Sequence, residues 1–451
     1  MGLIDKFAQI IENSRREYEN IKAGDFEVIE KLGACSEGPA SQAALGDNAL
    51  FIKYLLDRQG MEGKIQTVYI DPPFFTKSKY DAVLRVEGGE EKGLSSIKYS
   101  AYDDVWEKNM ESYLEMLCLR FMLIKDLLAD TGTLWVHLDW HADHYVKVLL
   151  DEIFGAERFV NEIVWTYKSG GSSKHHFSRK HDTILVYSKT RKYYFSPLKE
   201  KSYNRGFKPY RFKGVEEFQD EIGWYTMVYM KDVWNIDMVG RTSGERNGYA
   251  TQKPEALIQR ILQCSTQPGD MCADFFAGSG TFAAVAEKMG RKWICCDNEP
   301  LAAGCTVNRV ASDCLKSGKE FSMEFIKQQD SSELQPDAKG NLRASLIPFE
   351  DDGVLKYKAK VDSYLPYVDL ERIDEKSREA VSRIDGRAGL GTISRISIGT
   401  DDETGVHRPE ILHIVQKNEN IEELEFVVGC KSVNLVVWDI FGNRLEEKIT
   451  I

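Results

Sequence analysis

Apolar positions along this chain change their period several times, and each change marks an element. Ile65–Ile70 (IQTVYI) is a run rich in apolar, β-branched and aromatic residues that stops at Asp71-Pro72-Pro73. It predicts a buried parallel strand delivering a loop at its C-terminal edge. Leu114, Leu117, Phe121, Ile124 and Leu128 then recur at three- and four-residue steps, which predicts a helix with Gly132 as its stop. Residues 133–139 (TLWVHLD) predict a strand, and 143–154 a helix closed by Gly155. The alternation returns later, where Pro254 takes a first helical position ahead of the stripe Leu257, Ile258, Ile261 and Leu262. A strand at 271–275, a helix at 281–289 ended by Gly290 and a strand at 293–296 follow. The expected fold class is α/β, a doubly wound and mostly parallel sheet covered on both faces.

Two stretches depart from the alternation. Residues 190–245 are aromatic, basic and punctuated by glycine, as an insertion would be. After about 330 the helical period fades, and ILHIVQ, LEFVVG and VNLVVWDIF read as strands of a separate, mostly-β module. The expected organisation is residues 1–165 for the first part of the α/β domain, 166–245 for a basic insertion, 246–325 for the second part, and 330–451 for a C-terminal module. At 451 residues the chain is long enough for two or three domains. The N-terminal MGLIDKFAQIIENSRREYEN alternates apolar and charged positions as a surface helix does and has no signal-peptide core. Lys6 stands where myristoylation of Gly2 would need Ser or Thr. No apolar run approaches the roughly 20 residues of a membrane span, so a cytoplasmic protein without a membrane partner is expected.

Charge changes the picture only when it is mapped. The net charge of −12 argues against a nucleic-acid partner. Between Lys168 and Lys213, however, stand 13 Lys or Arg against two acids, Asp182 and Glu200, while from Asp330 onward 24 acids face 16 bases. A basic middle and an acidic tail average to a misleading total. Nine scattered cysteines without a CxxC pair suit reduced core thiols. The spacing of His175, His176 and His181 fits no common metal site, and no metal is expected.

Two motifs carry candidate chemistry. Asp274-Phe275-Phe276-Ala277-Gly278-Ser279-Gly280-Thr281 follows one strand and opens a helix, where glycine lets backbone approach a ligand closely. Asp297, nineteen residues after Gly278, ends the next strand, where a carboxylate can accept both ribose hydroxyls of a nucleoside-like cofactor. Gly278, Gly280 and Ala283 also satisfy the G-x-G-x-x-G/A fingerprint, so the loop alone leaves an NAD-linked oxidoreductase open. Asp274 separates the two, since its carboxylate suits an ammonium and opposes a pyrophosphate.

The second motif is Asp71-Pro72-Pro73-Phe74. An exocyclic amino nitrogen on a nucleobase is a poor nucleophile because its lone pair is delocalised into the ring. A carboxylate and a backbone carbonyl, each accepting one N–H, favour the tetrahedral geometry that attack on a methyl group requires. Proline suits the carbonyl role, having no N–H and a fixed φ. The aromatic residue next in line can stack on a flipped base.

With both motifs in one domain, the sequence resembles the beta group of DNA amino-methyltransferases from about Gly46 to Asn308, and within it the modification (Mod) subunits of type III restriction systems. Gly46-Asp47-Asn48 resembles that group's acidic turn, which implies that Asp47 contacts the cofactor adenosine. His181 to Lys189 (HDTILVYSK) resembles its late strand. Thr251-Gln252-Lys253-Pro254 resembles the segment that closes over the methionine end of the cofactor. The resemblance implies a Rossmann-like methyltransferase fold and S-adenosylmethionine as cofactor. It further implies a cofactor site of Asp47, Thr251, Gln252, Lys253, Pro254, Asp274, Phe276, Gly278, Ser279, Gly280, Thr281 and Asp297. The usual Tyr of the catalytic turn is Phe74, which keeps stacking and loses a hydroxyl. The chain is also short for a Mod subunit.

The group inserts its target-recognition region where this chain is basic. Lys168, Lys174, Arg179, Lys192, Arg205, Lys208 and Arg211, interleaved with aromatic residues from Tyr193 to Phe212, are the expected DNA contacts. The resemblance implies site-specific methylation of adenine N6 in DNA, since Asp rather than Ser heads the turn as in the adenine-specific members of that group. Cytosine N4 methylation and an inactive DNA-binding module are the alternatives. The acidic tail is expected to serve self-association, as in a homodimer, or docking of a protein partner such as a restriction subunit.

Overall fold

A computed structural model of the chain describes residues 2–34, 39–87, 96–104, 109–240, 242–329, 341–382, 384 and 388–451. The start of the expected tail, 330–340, lies outside the described residues.

One large sheet organises the fold. From one edge it runs Val233–Asn235, Phe159–Thr166, His181–Ser188, Leu128–Leu138, Ile65–Ile70, Met271–Asp274, Lys292–Asp297, Ser41–Leu45 and Ser322–Gln328. It continues through Phe26–Gly33, His407–Ile414, Ile393–Asp401, Ser432–Asp439 and Arg444–Thr450. From Leu128–Leu138 to Ser322–Gln328 every neighbouring pair is parallel, as the alternation of strands and helices predicts. Ile65–Ile70 sits in this parallel centre with all six residues buried.

The period of two along the strands explains the layers. Val68 and Ile70 face one core, with the helices Asn48–Asp57, Met110–Leu127 and Asp143–Phe154. Tyr69, Trp135, Cys272 and Cys295 face the other, with Glu255–Ser265, Thr281–Lys288 and Pro300–Ser317. With helices on both faces, the C-terminal ends of the parallel strands are left to their loops, and ligands of open α/β sheets bind there. Among the described residues no helix is long and apolar enough to cross a membrane.

Several expectations need correction. Gly132 does not stop a helix: Met110–Leu127 passes straight into the strand Leu128–Leu138, and Gly132 lies within that strand. A Cβ there would come 2.9 Å from the Ala129 carbonyl oxygen and 3.0 Å from that of Ile65, so close strand approach needs the glycine. The tail is mostly β but not separate, since His407 pairs with Glu30 and carries four tail strands onto the central sheet. Nor is 166–245 wholly an insertion. His181–Ser188 is a buried strand between Phe159–Thr166 and Leu128–Leu138, and only a small three-stranded sheet of 199–203, 218–219 and 224–229 stands outside.

Candidate active site

The strand ends converge on a cleft of about 580 Å³. Asp71, Pro72, Pro73 and Phe74 line it together, directly after Ile70. Lys253 donates to Asp71 Oδ2, an ion pair 182 residues apart in sequence, and its ammonium lies 5.3 Å from the centre of the Phe74 ring. Asp71 Oδ1 is buried and, among the described residues, has no hydrogen-bond partner. The Tyr113 hydroxyl donates to the Pro73 carbonyl at 2.7 Å.

Behind the turn runs a buried polar chain that sequence spacing does not reveal. Tyr69 Oη and His137 Nδ1 are 2.9 Å apart, and His137 Nε2 lies 3.1 Å from Asp182 Oδ2. The Tyr167 hydroxyl donates to Asp182 Oδ1 at 2.9 Å. His137 Nδ1 is also 3.8 Å from Asp71 Oδ1, and its ring centre is 5.6 Å from that of Phe74. Burial pushes the Asp182 carboxyl up, but His137 and Lys253 outweigh it and hold the group below its ordinary range. Asp104, also missed, accepts from the backbone N–H groups of Phe75 and Thr76 at 3.1 and 2.6 Å. It thereby fixes the exit of the turn, where Phe75 sits at φ +64°.

The other end of the cleft holds most of the expected cofactor residues. Asp47, Thr251, Lys253, Asp274, Phe276, Gly278, Ser279, Thr281 and Asp297 line it. Asp47 caps the helix Asn48–Asp57 by accepting from Leu50 N–H, and pairs with Arg120 at 3.1 Å. Gly278 has φ +48°, and a Cβ there would come 3.4 Å from the Tyr249 ring. Its N–H donates to Asp297 Oδ2 at 2.8 Å. Burial raises Asp297 to about 6. Burial, and then the nearby Asp71 and Asp297, push Asp274 well above its usual range.

Three expected residues stand behind the lining. Gly280, at φ +71°, packs on the helix Pro300–Ser317, where a Cβ would sit 2.6 Å from Thr306 Cα. Gln252 is buried and bridges the Asn247 N–H and the Glu245 carbonyl. Pro254 occupies the N-cap of Glu255–Ser265, just before the first helical residue. Among the described residues, eight carboxylates and two cations, Arg120 and Lys253, line the cleft. That balance suits a cationic ligand and opposes a pyrophosphate.

The expected DNA contacts Lys168, Lys174, Arg179, Lys192, Arg205, Lys208 and Arg211 are all exposed, but they do not share one surface. Lys168, Lys174 and Arg179 lie on the loop between Tyr167 and Asp182, two residues of the cleft. His181–Ser188 then carries the chain away, pairing Thr183 with Leu138 and Ser188 with Thr133 at the far end of the sheet. Lys192 follows there, next to Tyr194, whose N–H donates to the Thr131 carbonyl. Arg205, Lys208 and Arg211 belong to the connection between strands of the small sheet. Replacing Lys168, Lys174 and Arg179 together with alanine is therefore expected to weaken DNA binding more than Lys192→Ala. It should also make the log–log salt dependence shallower by about 2–3. Anisotropy titrations at several salt concentrations check this, and an equal loss from Lys192→Ala would remove the distinction.

The DNA methylase family (N6_N4_Mtase) matches residues 65–303, from the strand before the catalytic turn to beyond Asp297. The chain belongs to this DNA methylase family. Among similar DNA methylases, type II methyltransferase M.EcaI of Enterobacter cloacae is 28% identical over 345 residues, covering 63% of this chain and 72% of the relative. Type II methyltransferase M2.DpnII of Streptococcus pneumoniae is 28% identical over 234 residues, covering 51% and 77%. Of solved structures, the cytosine-N4-specific PvuII DNA methyltransferase aligns with a TM-score of 0.40 at 16% identity, covering 60% of this chain and 86% of that one. The complex of M1.HpyAVI with SAM aligns with a TM-score of 0.38 at 17% identity, covering 60% and 98%.

Proposed function

We propose that this DNA methylase transfers a methyl group from S-adenosylmethionine to N6 of an adenine turned out of the DNA stack. The observation that carries the reading is Asp71 Oδ1, a buried carboxylate oxygen that among the described residues has no hydrogen-bond partner, beside an aromatic ring in the cleft. Its twin, Oδ2, is held by Lys253, so the carboxylate is oriented before any substrate arrives. With the Pro73 carbonyl taken by Tyr113, the Pro72 carbonyl is the second acceptor for the amino group. Phe74 stacks on the base and holds its plane. S-adenosylmethionine, when bound, supplies an electrophilic methyl group on a sulfonium centre.

The acidic cleft supports that cofactor. Asp274 is raised first by burial and then by the nearby Asp71 and Asp297, and an ammonium beside it would offset both. Asp297 stands where the ribose hydroxyls would come, and Gly278 leaves the space a Cβ would take. Asp297→Ala is expected to weaken S-adenosylmethionine binding by about 1–3 kcal/mol. Asp297 is protonated below about pH 6 and then accepts fewer hydrogen bonds, so affinity should fall as pH drops from 8 through 6. Calorimetry over that range checks both points, and tight NAD binding in its place would overturn the cofactor.

Adenine rests on the carboxylate at the head of the turn, which the sequence resemblance associates with N6 rather than N4 methylation. Mass spectrometry of nucleosides from DNA methylated by the purified protein decides between N6-methyladenine and N4-methylcytosine. Long-read modification mapping of DNA from expressing cells adds the recognition site. Kinship to type III modification subunits, and a restriction subunit or second copy as partner, belong to the same proposal. Co-purification and light scattering test them.

A further inference from the structure

The loop joining Phe159–Thr166 to His181–Ser188 springs from the lip of the cleft, since Tyr167 before it and Asp182 after it both line that cleft. Its base is closed by the Tyr167 N–H donating to the Lys180 carbonyl at 3.0 Å. The Lys180 ammonium gathers the carbonyls of Lys168, Ser169 and Gly170 at 3.3, 2.9 and 2.6 Å. The loop is thus a tied projection. On it Phe177, three residues before Lys180, is 99% exposed, the most exposed of the large hydrophobic side chains among the described residues. The loop carries Lys168, Lys174, Arg179 and Lys180 and no acid. Arg179 stacks on Trp140 at 4.0 Å, and Trp140 follows the cleft residue Asp139.

We propose that Phe177 is a wedge that enters a DNA duplex and fills the gap left by the base presented to Asp71 and Phe74. The proposal rests on the methyl-transfer reading and adds to it how the base is extruded and that the substrate is double-stranded. A phenyl ring wholly in water gains by transfer into the apolar space between stacked bases. Inserted apolar side chains unstack and kink duplexes in this way. The flanking cations hold the phosphates of the strand being opened. The loop's origin beside Tyr167 and Asp182 places the wedge next to the cleft, so one approach of the duplex serves both steps. A single strand already offers its bases and has no gap to fill, so the ring gives it no comparable help.

The test is single-turnover transfer of labelled methyl groups to three oligonucleotides carrying the mapped site. One is a matched duplex, one a duplex with an abasic position opposite the target, and one the single strand. Phe177→Ala is expected to slow transfer to the matched duplex by roughly 10- to 100-fold, because base-pair opening loses its filler. Phe177→Leu should keep most of the rate. On the abasic duplex and the single strand, where the target is already unpaired, Phe177→Ala should match the wild type. An unchanged rate on the matched duplex would overturn the wedge, as would an equal loss on all three substrates. A wild-type protein that methylates none of them would overturn the methyl-transfer reading and the wedge with it.

Discussion

Asp71→Ala is expected to transfer methyl groups at least roughly 100- to 1000-fold more slowly than the wild type, the scale for losing one preorganised polar contact at a reacting centre. The loss has two sources. The Oδ1 that would accept an amino hydrogen is gone, and the Lys253 ammonium beside Phe74 loses its anion. Asp71→Asn should fail as well. If its amide oxygen faces Lys253, its NH₂ meets the amino group of the base, and the reverse orientation sets that NH₂ against the ammonium. S-adenosylmethionine binding should survive in Asp71→Ala, because Asp47, Asp274 and Asp297 line the other end of the cleft. Phe74→Tyr should stay active, since it keeps the ring. Single-turnover transfer to unmethylated DNA, with calorimetry for the cofactor, separates the two properties. A wild-type rate from Asp71→Ala would reduce the turn to the end of a strand.

The second large effect is on stability. Glu30 is fully buried and accepts from Arg395 at 2.8 Å, Arg444 at 2.9 Å and the Trp438 indole at 2.8 Å. These partners lie on three tail strands, so one carboxylate ties residues near the N-terminus to the last quarter of the chain. Glu30→Ala leaves two guanidinium groups without their shared anion and is expected to cost about 3–5 kcal/mol. Burial pushes Glu30 up, but Arg395 and Arg444 outweigh it and hold the carboxyl below its ordinary range. A lowered folded-state pKa gives stability that is present above the unfolded value and is lost as pH falls through the folded one. The wild type should therefore lose stability on acidification below the ordinary carboxylate range, and Glu30→Ala should show less of that dependence. Thermal and urea unfolding across pH check it, and a loss under about 1 kcal/mol would mean that the tail is held by packing alone.

The parts that were legible in the sequence are those whose signal is local. The run Ile65–Ile70 is mostly apolar, β-branched and aromatic, and buried throughout, because both faces of its strand are covered. The helix Asp143–Phe154 ends at Gly155, which holds φ +99°. The glycine loop and the Asp-Pro-Pro-Phe turn are contiguous motifs at strand ends. What escaped is made across the sheet. His137 and Asp182 meet because Leu138 pairs with Thr183 in an antiparallel register that no spacing of 45 residues announces. The pair of Asp71 and Lys253 is likewise a product of topology. Phe26–Gly33 was missed because FEVIEKLG carries Glu30 at a buried position, so the strand reads as half solvated until its arginine partners are known. The tail read as separate because what attaches it is long-range: the buried charges at Glu30, and apolar packing such as Trp438 on Phe325 and Phe441 on Tyr99.

The sheet order also sets a timetable for synthesis. Phe26–Gly33 pairs with Ser322–Gln328, about 300 residues later, and with His407–Ile414 later still. At ~5–20 residues per second on the ribosome, that early strand waits about 15–60 s for its first partner. Throughout that interval an edge with open hydrogen-bonding groups is exposed to chaperones and to other nascent chains. The cleft completes on the same clock, because Asp71 emerges long before Lys253, Asp274 and Asp297. A nascent chain that stops short of Asp297 therefore carries the catalytic turn without the rest of its cleft.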